Sequence, residues 1–130
     1  MKFNFTPYEE FNHELFLQAT NGRWMGSLRL YVSKAELMEL GDNLKKFDGT
    51  TKTKIDFEIG KVEKKYAYSL KLIVKPTDSL GHSKIHIEMW ENNTKSTAIF
   101  SIDSVPASIN RLGENLIHAV LTIESFTWEP

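Results

Sequence analysis

Two runs of strict alternation limit what this chain can fold into. Phe11, His13, Leu15, Leu17 and Ala19 alternate with Asn12, Glu14, Phe16 and Gln18. Trp24, Gly26, Leu28, Leu30 and Val32 then alternate with Met25, Ser27, Arg29 and Tyr31. A side-chain period of two belongs to a strand with one buried face. Between the runs stands Asn21-Gly22, which suits a two-residue type I′ turn because both central residues need positive φ. The chain is therefore predicted to open with an antiparallel hairpin, with Trp24 on its apolar side.

A helix is predicted next. Ser33 and Glu36 have the spacing of a capping box, which satisfies two otherwise orphan backbone donors. Leu37, Leu40, Leu44 and Phe47 follow at three-and-four spacing, so one face is apolar. Asp48-Gly49 ends it. Four further strands alternate over residues 54–59, 66–75, 82–91 and 96–103, separated by turn-forming segments such as Pro76–Gly81. A second helix starts near Pro106, where proline is tolerated in the first turn. Ile109, Leu112, Leu116 and Val120 form its stripe, with Gly113 weakening it by about 1 kcal/mol relative to alanine. A short last strand is expected within residues 122–128.

The order is ββαββββα(β), an α+β class. Short turns between successive strands predict a mostly antiparallel sheet of six or seven strands. Two amphipathic helices cover one face of it, which leaves the other face open. With 130 residues and no repeat or linker, residues 1–130 form one domain. The chain has no cysteine, so it has no disulfide, thiolate ligand or thiol nucleophile, which suits a cytoplasmic location. No stretch approaches the ~20 apolar residues of a membrane span. The 16 basic and 17 acidic residues are interspersed, with no basic stripe, which argues against a nucleic-acid partner.

The stretch GHSKIHIEMW gathers His82, His86, Glu88 and Trp90. His82 and His86 have the spacing of a zinc site on a helix, but this segment alternates as a strand. There they stand about 13 Å apart, too far to share one ion. His86 and Glu88 share a face and could place two ligands on one metal, with Asp56 or Glu58 as a third. The bland reading is a solvated strand face with cross-strand charge pairs. Trp90 carries more information, because it lies on the polar side, as do Tyr31, Ile73 and Ile99. Aromatic and aliphatic groups set among charges on an open face are typical interface anchors. Trp90, Tyr31, His86, Glu88, Ile99 and Arg29 are therefore the candidate partner-binding residues.

No nucleophile elbow, P-loop or dinucleotide fingerprint occurs. No catalytic residue, metal or cofactor is assigned, and the chain is read as a non-enzyme. The alternatives are a small-ligand, metal or catalytic site around His86 and Glu88 with Tyr66 or Tyr68, or a homodimer formed through the open face.

The succession GSLRLYVSKAELMELGDNLKKF, DFEIG, YAYSLKLIVKPTDSLGHSKIHIEMWENN and FSIDSVPASINRLGENL resembles the immunity proteins of the WapI type. The likeness spans about residues 24–120 and rests on element order and hydrophobic pattern. It implies a cytoplasmic, antitoxin-like protein that binds and neutralises the toxic C-terminal domain of a large secreted bacterial protein, without catalysis.

Overall fold

The computed structural model describes residues 1–7, 12–60 and 67–130. The elements, in chain order, are β1 (Lys2–Pro7), β2 (Asn12–Thr20), β3 (Met25–Ser33), α1 (Lys34–Lys46), β4 (Ile55–Ile59), β5 (Tyr68–Pro76), β6 (Ser83–Glu91), β7 (Ser96–Ser104), α2 (Pro106–Thr122) and β8 (Phe126–Thr127). The class is the expected α+β, and every strand pairing is antiparallel. The strands divide, however, into two four-stranded sheets, ordered β3-β2-β1-β8 and β4-β5-β6-β7. Alternation shows that a strand has a buried side but not which strand lies next to it. Here α1 intervenes between β3 and β4, and β4 pairs with β5 instead of extending the first sheet.

The hairpin of β2 and β3 forms in the register Leu15↔Leu30 and Leu17↔Leu28. Its turn is longer than the predicted type I′ pair. The ladder closes at Thr20↔Met25, leaving Asn21, Gly22, Arg23 and Trp24 in the loop. The Asn21 carboxamide oxygen accepts from the backbone N–H groups of Arg23 (3.0 Å) and Trp24 (2.8 Å). That side-chain cap competes with the tight turn, as asparagine commonly does. Trp24 consequently leaves the strand and is 65% exposed.

Strand β1 is absent from the expected order, although Met1, Phe3 and Phe5 alternate with Lys2, Asn4 and Thr6. Phe3 and Phe5 are its buried apolar positions, and its partners come from distant sequence, β2 on one side and β8 on the other. Phe126 of β8 stacks on Phe3 with ring centroids 4.7 Å apart. The Met1 ammonium donates to the Trp128 carbonyl and the Trp128 N–H to that of Met1, each at 2.7 Å. β8 is shorter than expected because α2 runs on to Thr122, ending at Ile123 in the left-handed region.

The capping box forms as predicted. Ser33 Oγ accepts from the Glu36 N–H at 3.1 Å, and Glu36 Oε1 accepts from the Ser33 N–H at 3.3 Å. The buried stripe of α1 (Leu37, Leu40, Leu44) and that of α2 (Ile109, Leu112, Leu116, Val120) join the inner faces of both sheets in one core.

The helices meet through glycine. A Cβ at Gly113 would lie 2.6 Å from the Gly41 carbonyl oxygen and 2.7 Å from the Lys45 nitrogen. The residue that weakens α2 as an isolated helix is thus what lets the two backbones touch. Asn110 locks the crossing by donating to the Leu44 and Phe47 carbonyls at 2.9 and 2.8 Å.

Strand β3 belongs to the first sheet yet runs across the ends of the second. A Cβ at Gly26 would lie 2.8 Å from Ala98 Cβ and 3.0 Å from Met89 Sδ. Farther along β3, the Tyr68 hydroxyl donates to the Tyr31 carbonyl (2.9 Å) and accepts from the Tyr31 N–H (3.1 Å). Each sheet therefore has one covered face and one facing solvent.

Gly113→Ala should destabilise the protein by about 2 kcal/mol, the scale of overpacking, although alanine is the better helix former. Urea unfolding of the variant checks this, and an unchanged midpoint would disprove the close crossing.

His13 is 4% exposed, and neither ring nitrogen has a hydrogen-bond partner among the described residues. Burial, and secondarily the Lys34 charge, hold its pKa below the ordinary histidine value. The unfolded chain then takes up the proton more readily, so stability is full above the ordinary range and falls as pH drops through about 6.5. His13→Leu should flatten that acid limb in unfolding curves taken at successive pH values.

Candidate functional site

The open face of the second sheet collects four of the six candidate residues. Its outward side chains fall in register across β4, β5, β6 and β7 as rows. The first row is Ser69–Trp90–Thr97 and the second Glu58–Lys71–Glu88–Ile99. The third is Asp56–Ile73–His86–Ser101 and the fourth Lys75–Lys84–Asp103. Successive rows lie about 7 Å apart, two residues along an extended chain. The sequence folds this way because Leu70, Leu72, Val74, Ile85, Ile87 and Met89 face the core, which obliges the intervening residues to face out.

Charge is unevenly spread on this face. The central strands β5 and β6 carry Lys71, Lys75 and Lys84 there, against Glu88 alone. The remaining carboxylates, Asp56, Glu58 and Asp103, stand on the edge strands β4 and β7. Among the described residues Lys71 forms no ion pair with either flanking glutamate. Trp90 and Ile73 are half-buried among these charges, and Ile99 is 58% exposed. His86 bridges its neighbours, with Nδ1 3.3 Å from Ser101 Oγ and Nε2 3.3 Å from Glu88 Oε2.

Trp90 stands between two depressions. One, of about 420 Å³, is lined by Glu58, Ser69, Lys71, Glu88, Thr97 and Ile99 among others. The second, of about 300 Å³, lies at the seam with β3 and includes Gly26, Ser27, Thr94 and Thr97. The termini bond to each other in the first sheet, so neither covers Trp90.

Arg29 and Tyr31 stand elsewhere, on the outer face of the first sheet. Arg29 pairs with Glu14 at 2.6 Å and lies 5.2 Å from the Phe16 ring centroid, so its charge is already engaged. Tyr31 is 46% exposed and its backbone is held by the Tyr68 hydroxyl. The pattern that set these two with Trp90 reports the side of a strand, not the sheet to which it belongs.

The metal alternative has His86 and Glu88 close together, with Asp56 in the row of His86 and Glu58 in that of Glu88. Even so, no group of three histidine or carboxylate side chains among the described residues is placed to hold an ion. Tyr66 lies outside the described residues, and Tyr68 is committed to β3. Sequence reasoning passed over Lys71 and Lys75, and took Lys84 with His86 and Glu88 as a solvated strand face. Their signal was present in the period-two spacing of Lys71 and Lys75, on the same side as Ile73. No helix among the described residues is long and apolar enough to cross a membrane.

No family model and no curated protein matches the chain. Solved structures do. The chain is similar to WHY1 from Arabidopsis thaliana, with a TM-score of 0.53 and 12% identity over 92% of this chain and 73% of that one. It is similar to the plant transcriptional regulator PBF-2, with a TM-score of 0.54 and 11% identity over 90% of this chain and 69% of that one. The same holds for WHY3 from Arabidopsis thaliana, with a TM-score of 0.51 and 15% identity over 92% and 76%. At such identities the likeness is one of fold.

Two expectations are corrected by this finding. The reading of a toxin-neutralising immunity protein is overturned, because a fold shared over nine-tenths of the chain is that of a transcriptional regulator. The exclusion of a nucleic-acid partner falls with it. That exclusion rested on a net charge of −1 and the lack of a basic stripe in the sequence; the fold sets Lys71, Lys75 and Lys84 on the two central strands of one face, which also carries Asp56, Glu58, Glu88 and Asp103.

The Tyr68 hydroxyl satisfies two backbone groups on the free edge of β3. Tyr68→Phe should cost about 1 kcal/mol, the usual scale for a lost hydrogen bond. It should also speed amide exchange at Tyr31, which hydrogen-exchange NMR reads directly. Unaltered exchange there would rule out the edge role.

Proposed function

We propose that this chain binds single-stranded nucleic acid on the outer face of the second sheet. The observation that carries the reading is the line formed on the two central strands by Trp90, Lys71 beside it, and the pair Lys75–Lys84 three rows away, on a sheet face that nothing described covers. Single strands are held by such a combination. Cations follow the phosphates, while aromatic side chains stack on unpaired bases. A flat sheet suits this better than it suits a duplex, whose major groove admits a helix or a two-stranded ribbon. The fold likeness to the plant transcriptional regulator PBF-2 supports a nucleic-acid partner. The reading carries with it a cytoplasmic location.

His86 and Ile73 extend the surface between Trp90 and the lysine pair Lys75–Lys84, so the lysines and the stacking groups lie along one line of the sheet. Exposed Ile99 and half-buried Ile73 widen the apolar ground on which a base can lie. The edge carboxylates Asp56 and Asp103 bound the track on either side and disfavour a phosphate that strays from it.

Fluorescence anisotropy with a labelled thymine oligonucleotide tests the reading. Trp90→Ala should weaken binding by about 1–3 kcal/mol, the value of one base stack, with the melting temperature unchanged. Replacing Lys71, Lys75 and Lys84 together by glutamine should lower the slope of log K against log salt by about 2, at ~0.7 per phosphate contact on a single strand. A wild-type protein that ignores all single strands at low salt, or binds duplex as tightly, would refute it.

A further inference from the structure

Resting on the single-strand reading, the next question is which base the depression beside Trp90 accepts. Its 420 Å³ are walled by Trp90 on one side and by the row Glu58–Lys71–Glu88 on another, with Ser69 and Thr97 beside the indole. Glu88 precedes Trp90 by two residues on one strand face, so it stands about 7 Å along the chain from it. Lys71 is directly opposite Glu88 on the neighbouring strand, about 5 Å away across the ladder. A base stacked on Trp90 thus meets the Glu88 carboxylate and the Lys71 ammonium side by side, with the Glu58 carboxylate on the far side of Lys71.

These groups have fixed hydrogen-bonding capacities. An ionised carboxylate only accepts and can take two parallel donors, whereas an ammonium only donates. The base that answers this pair is one with two adjacent donors next to an acceptor. Guanine has that edge, with N1–H and the N2 amino group beside O6. Thymine and uracil offer one N–H between two carbonyl oxygens, and would leave a carboxylate oxygen facing a carbonyl. Adenine and cytosine each present one amino group beside a bare ring nitrogen, which can use the ammonium but meets only one of the two carboxylate positions.

Glu88 is available for this task. Its only described hydrogen-bond partner is His86, whose Nε2 lies 3.3 Å from Oε2, and it forms no ion pair with Lys71. A glutamate on a central strand among lysines costs affinity for the backbone, because it repels phosphate. Its position is explained by contact with a base.

We infer that the depression formed by Trp90, Glu88 and Lys71 is a guanine subsite, in which Glu88 receives N1–H and N2–H, Lys71 donates to O6, and Trp90 stacks on the ring. Selection acts on an unpaired guanine, since pairing would occupy the same edge.

The test uses the full chain and thymine oligonucleotides that differ at one central position, carrying thymine, guanine or inosine, read by anisotropy. One guanine per strand avoids four-stranded assemblies. Guanine should bind about tenfold more tightly than thymine, within the range of one good bidentate contact. Inosine, which lacks the N2 amino group, should lose most of that gain. Glu88→Gln should bind the thymine strand at least as well as wild type and erase the guanine preference. Equal affinity for all three strands would overturn the subsite while leaving single-strand binding intact. No binding to any of them would overturn both. A guanine preference that survives Glu88→Gln would refute the assignment to this carboxylate. Displacement of the guanine strand by micromolar guanosine monophosphate would show that the site takes a free nucleotide, and would overturn the strand version.

Discussion

The architecture hangs on the way β3 serves both sheets. Its inner residues Leu28, Leu30 and Val32 fill the core of the first sheet, while its free edge closes the end of the second. Close approach is possible because Gly26 offers no side chain toward Ala98 and Met89. Tyr68 then satisfies the Tyr31 backbone from the other side of the seam. An edge strand left open is a template for unwanted pairing, and here the second sheet itself caps it. The same crossing lets the helices be shared by both sheets, so both outer faces stay open. The candidate site exists because the packing is used up elsewhere.

Most local structure was legible in the sequence, and the reasons are specific. The Ser33–Glu36 box and the stripe Leu37, Leu40, Leu44 each depend on residues within one helix, so they can be read from spacing. The alternation of β6 fixed Trp90, His86 and Glu88 on one side because neighbours two apart along a strand share a face. What failed depended on partners far away. β1 was missed although Met1, Phe3 and Phe5 alternate with Lys2, Asn4 and Thr6; its partners β2 and β8, which lie far apart in sequence, could not be read from that pattern. Arg29 and Tyr31 were set beside Trp90 by an argument that could not count sheets. Asn21 was read as a turn residue, correctly, but its side chain builds a longer loop and sends Trp24 into solvent.

Net charge misled for a related reason. It is a sum that says nothing of where charges stand, and this face itself holds three lysines and four carboxylates, with the edge strands only about 5 Å from the central ones. The second sheet sorts its charges by strand, with lysines central and carboxylates mostly peripheral. Sequence order hides this, since Lys71 and Lys75 stand on β5, Lys84 on β6, Asp56 and Glu58 on β4 and Asp103 on β7. Only the pairing register sets them in rows.

The sparseness of cations decides what kind of ligand such a surface can hold. Three lysines release few counterions, so electrostatics alone would give weak attachment with a shallow salt dependence. Substantial affinity has to come from contacts other than phosphate, and the face supplies an indole, an imidazole and two isoleucines for stacking and apolar cover. In a duplex the bases are already stacked on one another, so these side chains would gain little. In a single strand they replace solvent against the base faces, at about 1–3 kcal/mol for each base stacked on an aromatic ring. The same reasoning separates the roles of the charged groups. Lysines that follow a backbone are tolerant of sequence, whereas a carboxylate set among them weakens every backbone contact and can be recovered only through a base edge. Glu88 is therefore the residue at which affinity and selectivity pull against each other on this face.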